Sequence, residues 1–190
     1  MQEQPSLTRP ARPHVLWVSL LVVASVVFSL GFACATPLAA FAAAAALTSS
    51  RRDALVLILS VWFANQLVGF TILGYPWTAS TFAWGVALGA AAVLAILAGQ
   101  WTASRSVDAV RIVRFLATGL AAFAAYEAAL FVVAVAWLGG TEDFTAAILG
   151  WILVINAAAF VGLLVLHRLA VSMGLANNWP LPLHITESHA

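Results

Sequence analysis

FLATGLAAFAAYEAALFVVAVAWL, Phe115 to Leu138, holds one charged side chain, Glu127, in an otherwise oily run. About 20 mostly apolar residues in a helix cross the hydrocarbon core of a bilayer. This stretch is long enough to do so, and the rest of the chain is built like it. Of 190 residues, 64% are hydrophobic and 8% charged, where soluble domains carry about a quarter charged residues. Such a chain cannot clothe a water-facing surface. The fold class is therefore all-α, a polytopic membrane bundle, and the expected location is the cell membrane, the inner membrane in a bacterium.

Six helical segments are expected: His14–Ala33, Ala35–Leu47, Ala54–Gly74, Thr78–Gly99, Val110–Leu138 and Phe144–Met173. They make a membrane domain over 14–174, with an arm at 1–13 and a tail at 175–190. Arg9 and Arg12 precede an apolar run that continues past Leu30 without a clear cleavage region, so it reads as the first membrane helix. Ser50-Arg51-Arg52-Asp53 offers a capping box for the third helix. Tyr75-Pro76-Trp77 breaks the chain, because proline cannot continue a helix, and Gly139-Gly140 ends the fifth helix. The second helix is short for a span, which points to a tilted or re-entrant crossing.

Orientation follows from the arginines. There is no lysine, and the eight basic residues are Arg9, Arg12, Arg51, Arg52, Arg105, Arg111, Arg114 and Arg168. With six helices they all fall on one side, and Glu142 and Asp143 on the other. The positive-inside rule then predicts both termini in the cytoplasm. Trp17, Trp101 and Trp179 belong to the inner interface on this reading, and Tyr75, Trp77 and Trp137 to the outer one.

Composition excludes several chemistries. Without lysine there is no Walker A motif and no Schiff base. One cysteine, Cys34, allows no internal disulfide. The histidines, His14, His167, His184 and His189, show no metal-site spacing, and the tail set His184, Glu187 and His189 lacks a third ordered ligand. No nucleophile–base pair is visible, so the chain is not read as an enzyme, and no cofactor is expected.

The informative residues are the polar ones inside the spans. Asn65-Gln66, Tyr126-Glu127 and Asn156 lie near the centres of the third, fifth and sixth helices. A carboxylate at the bilayer centre costs about 2.5–3.5 kcal/mol on insertion scales, whereas an interhelical polar contact returns about 0.6 kcal/mol on average. Helix glue alone is a poor reason to bury Glu127. The expectation is a neutral, hydrogen-bonded carboxyl met by Asn65, Gln66 and Asn156, in a pocket for a small solute. Trp84, Trp151 and Tyr75 are expected to wall that pocket, with Cys34 and Thr36 at its outer rim. The competing reading is a scaffold or assembly subunit packing beside a larger complex through alanine stripes: Ala35-Ala39-Ala43, Ala83-Ala87-Ala91-Ala95 and Ala121-Ala125-Ala129.

The stretch AAAAALTSSRRDALVLILSVWFANQLVGF, Ala42 to Phe70, resembles the substrate-binding S components of energy-coupling-factor vitamin transporters: a small-residue helix 2, a basic turn and an apolar helix 3. GFACATP, Gly31 to Pro37, is similar to the connection that this family uses beside its ligand. The resemblance implies six helices with both termini inside, a vitamin or cofactor precursor as ligand, and a coupling subunit with ATPases as partner. In that family an alanine-based small-xxx-small motif on helix 1 docks on the coupling subunit. Here helix 1 carries Leu16, Leu20 and Ala24 on one stripe and Ser25, Ser29 and Ala33 on another, and neither matches.

Overall fold

The protein is described by a computed structural model over residues 19–27 and 36–174. Residues 19–27 are helical (α1). They are followed by α2 (Leu38–Thr48), α3 (Arg51–Thr71), α4 (Ala79–Arg105), α5 (Arg111–Val133) and α6 (Ala146–Ser172). A π turn, Ala134–Leu138, extends α5, and a 3₁₀ turn, Thr141–Asp143, leads into α6. The chain is a membrane helical bundle. Four helices, α3, α4, α5 with its π turn, and α6, are long and apolar enough to cross a bilayer. Large apolar side chains such as Phe63, Val86, Val132 and Val161 cover their outward faces, as lipid-facing surface requires.

Alanine content decides the centre of the bundle. Every residue from Leu38 to Leu47 on α2 is buried. A helix that is apolar all round belongs inside, and methyl-sized side chains let neighbours approach on every side. α2 accordingly packs against α3, α4, α5 and α6 together. At 11 residues it is only about 16 Å long. Thus it is a half-length core helix rather than a lipid-facing span. The expected first span lies mostly outside the described residues, as do the arm, the tail and residues 31–35 of the connector.

The alanine stripes of α2 and α4 are spent on this packing. Ala39 and Ala43 on α2, and Ala87, Ala91 and Ala95 on α4, are buried inside the bundle, and α2 and α4 pack on each other. Those faces are not available to another subunit. Ala35 is outside the described residues.

Several helix ends differ from expectation for local reasons. α3 starts at Arg51 rather than Ala54, because Ser50 Oγ accepts the Asp53 N–H at 3.2 Å. α4 runs on past Gly99 to Arg105. The glycine is a contact and not a stop: a Cβ there would lie 3.0 Å from Ala46 Cβ. Phe144 stays out of α6 and packs its ring edge-on against Phe131 at 5.2 Å, while Thr145 caps α6. Gly139 and Gly140, at φ 75° and 82°, make the expected reversal after α5.

The α3–α4 contact is close at two glycines. Trp62 Nε1 donates to Gly85 O at 2.7 Å, and a Cβ on Gly89 would meet the same indole at 2.9 Å. Gly89→Leu is therefore expected to destabilise by about 1–3 kcal/mol or more by overpacking. Gly162→Ala, where a Cβ meets nothing within 4 Å, should leave stability level or slightly raised. Thermal unfolding of the two variants in detergent checks the contrast.

Candidate functional site

Antiparallel crossing brings alternate loops together. Leu73 and Tyr75 after α3, Gly140–Phe144 before α6, and Thr36 before α2 meet at one end of the bundle. Thr48, Arg111 and Arg168 meet at the other. The first end opens into a cavity of about 370 Å³, within the ~300–1,000 Å³ usual for ligand sites. α5 and α6 touch each other sparsely, each resting on α2, and the space left between α3, α4, α5 and α6 is this cavity.

Eight of the ten expected site residues line it: Thr36, Asn65, Gln66, Tyr75, Trp84, Tyr126, Glu127 and Asn156. Two do not. Trp151 is exposed on the outer surface of α6. The cavity face of α6 carries Ile148, Leu149, Ile152, Ile155 and Asn156, and at 100° per residue Trp151 falls to one side of that face. It is a lipid-side tryptophan. Cys34 lies outside the described residues. The sequence reading also missed Asp143, which had been read as an orientation marker, and which brings a second carboxyl to the cavity beside Phe144.

The amides do not serve Glu127 as expected. Asn156 Oδ1 accepts the Ala40 N–H at 3.0 Å, and its Nδ2 donates to Ile152 O at 3.0 Å. Ala40 is in the first turn of α2, which starts after Pro37 with no side-chain cap of its own. The first N–H groups of any helix lack intrahelical partners, and hydrocarbon supplies none. Asn156 therefore supports the start of α2 from a neighbouring helix, sharing the Ala40 N–H with Pro37 O at 3.0 Å. Asn65 is similarly engaged: its Oδ1 accepts from Thr36 Oγ1 at 2.5 Å and its Nδ2 donates to Val61 O at 2.9 Å. That pair ties the start of α2 to α3.

Within the helices, the polar groups left for a guest are Gln66, Tyr126 and Glu127. None has a hydrogen-bond partner among the described residues, and all three line the cavity. Gln66 is held close to α4, where a Cβ on Gly85 would come 2.7 Å from its Oε1. Tyr126 is buried and Glu127 half-buried. Tyr75 is folded inward onto Gly69, where a Cβ would collide with the ring. Its ring meets Phe70 edge-on at 6.0 Å. Phe70 in turn stacks on Phe82 at 4.7 Å. This aromatic cluster holds the α3–α4 turn over the rim.

No family model, curated protein or solved structure matches the chain.

The arrangement can be judged on its chemistry alone. Among the described residues, two carboxyls, Glu127 and Asp143, line the cavity and no basic side chain does. The remaining wall is aliphatic and aromatic, with leucines and isoleucines opposite Tyr75 and Trp84. Such a site favours a guest with an apolar body and hydrogen-bond donors or positive charge at one end, and disfavours an anion. Among the described residues there is no group of His, Cys, Asp and Glu able to hold a metal.

Proposed function

We propose that the protein takes up a small solute through the membrane, binding it in this cavity from the extracytoplasmic side. The single observation that carries the reading is the grouping of Gln66, Tyr126 and Glu127, without a hydrogen-bond partner among the described residues, on one cavity at the end of the bundle away from Arg111 and Arg168. A carboxyl at that depth is costly, and a guest that donates to it offsets the cost. Tyr75 and Trp84 give the guest a flat apolar wall. Thr36 and Asn65 tie the start of α2 to α3 at the cavity edge.

The class of protein that fits is the substrate-binding component of a vitamin-type transporter, resembling energy-coupling-factor S components, with both termini cytoplasmic and the arginines inside. The acidic lining narrows the solute to a neutral or cationic cofactor precursor rather than a carboxylate. Energy for transport comes from a partner or an ion gradient, since the chain carries no nucleotide-binding motif.

Native mass spectrometry of the gently purified chain tests the proposal. The expected result is a retained small molecule, absent from Ile152→Trp, whose indole fills the cavity from α6. A chain that instead leaves the bilayer with a stoichiometric protein partner and no small molecule favours a scaffold role.

A further inference from the structure

A second site lies at the opposite end of the bundle. There a cavity of about 300 Å³ opens between the start of α5 and the end of α6, with Thr48 at the tip of α2. Arg111, His167, Arg168 and Ser172 join Thr48 in its polar lining, and no carboxylate among the described residues lines it. Arg111 and Arg168 are exposed and have no ion-pair partner among the described residues. Two guanidinium groups in one basin, unopposed by acid, match a phosphate, whose oxygens take up their paired N–H donors.

The basin does not stand alone. Immediately along the same α5–α6 seam is a narrow apolar groove. Leu116, Leu120 and Phe123 line it on one side, Leu153 and Phe160 on the other, and the alanines of α2 form its floor. Phe115 lines the basin and Leu116 the groove; on α6 the step from Leu164 to Phe160 is about one turn. A Cβ on Gly119 would lie 3.1 Å from the Phe160 ring, so the α5 wall is pared back where that ring stands. The groove runs about 10 Å along α5, a length that suits part of an acyl chain and not a folded protein segment. A cationic basin one helical turn from a hydrocarbon slot has the polarity of a phospholipid.

We infer that the α5–α6 seam binds an anionic glycerophospholipid from the leaflet on the arginine side, its phosphate between Arg111 and Arg168 and one acyl chain in the groove. Basic basins between helices on that side of a membrane suit anionic head groups, and a zwitterionic lipid brings a quaternary ammonium that two guanidiniums repel. The inference is independent of what occupies the cavity at the other end.

The experiment is a native mass-spectrometric titration of the full chain in detergent with phosphatidylglycerol, with phosphatidylcholine of the same acyl chains, and with glycerol phosphate. Phosphatidylglycerol is expected to bind about tenfold or more tighter than phosphatidylcholine. Arg111→Gln/Arg168→Gln should erase that preference, and Arg51→Gln/Arg52→Gln, equal in charge removed, should retain it. Ala157→Phe, which fills the groove without altering charge, should weaken both lipids together. Three results overturn the inference. The first is a preference that survives the Arg111/Arg168 change. The second is one lost equally in the Arg51/Arg52 variant, which marks diffuse surface charge. The third is glycerol phosphate binding as tightly as the lipid, which marks a soluble phosphate as the ligand. Unchanged thermal unfolding of the variants without lipid shows that the fold is not what moved.

Discussion

Glu127→Gln is expected to leave the bundle folded and to weaken solute binding by about ten- to a hundredfold. A hydrogen bond to a charged group contributes about 1.5–3 kcal/mol, and each 1.4 kcal/mol is a factor of ten. The fold is spared because Glu127 has no hydrogen-bond partner among the described residues whose loss would be felt. Removing an ionisable group from mid-bilayer even relieves a cost. The amide keeps size and one acceptor, so the loss reports the carboxyl itself. Solute affinity by isothermal titration, paired with thermal unfolding in detergent, checks both halves. The wild type's binding should vary with pH and the variant's much less. Wild-type affinity in the variant at every pH would remove Glu127 from the binding role.

Asn156→Leu is expected to have the opposite profile, a loss of stability of about 0.5–1.5 kcal/mol from removing one of the two acceptors of the Ala40 N–H, which keeps only Pro37 O at 3.0 Å. The damage reaches past one bond. Asn156 is the contact by which α6 holds the start of α2, and α2 is the element on which α3, α4, α5 and α6 all rest. Asn156→Asp keeps an acceptor in place and should recover part of the loss. Thermal unfolding with hydrogen exchange at residues 38–41 tests this. Exchange there should quicken in the leucine variant, and an unchanged rate would show that the Asn156 bond is dispensable.

Much of this architecture is legible in the residues. Four apolar runs, the Tyr75-Pro76-Trp77 break, the Ser50 cap and the Gly139-Gly140 reversal are local chemistry, and each stands in the structure where local chemistry predicts. The convergence of Asn65, Gln66, Tyr126, Glu127 and Asn156 was also readable. Residues at mid-depth on adjacent crossing helices arrive at one level whatever the exact packing.

What was not readable depends on helix phase and on partner choice. Trp151 and Ile152 are neighbours in the chain, yet one faces outward and the other lines the cavity. With apolar residues on all sides of α6, composition marks no inner face. The alanine stripes looked equally fit for an external partner or for internal packing, and only the position of α2 shows that those of α2 and α4 are consumed internally. Asp143 was a loop charge until the loop folded over the cavity.

The sequence by itself determined that this is a membrane helical bundle, which local motifs cap and break its helices, and that one acid sits in the middle of an apolar span, because those outcomes rest on hydropathy and on bonds between near neighbours in the chain. Tertiary structure alone decided that α2 is the centre, that Asn156 and Asn65 bond backbone groups and Thr36 rather than Glu127, and that Gln66, Tyr126 and Glu127 face one cavity. The reason is that an amide takes whichever unsatisfied group the packing brings within about 3 Å, and no pattern along the chain encodes which one arrives.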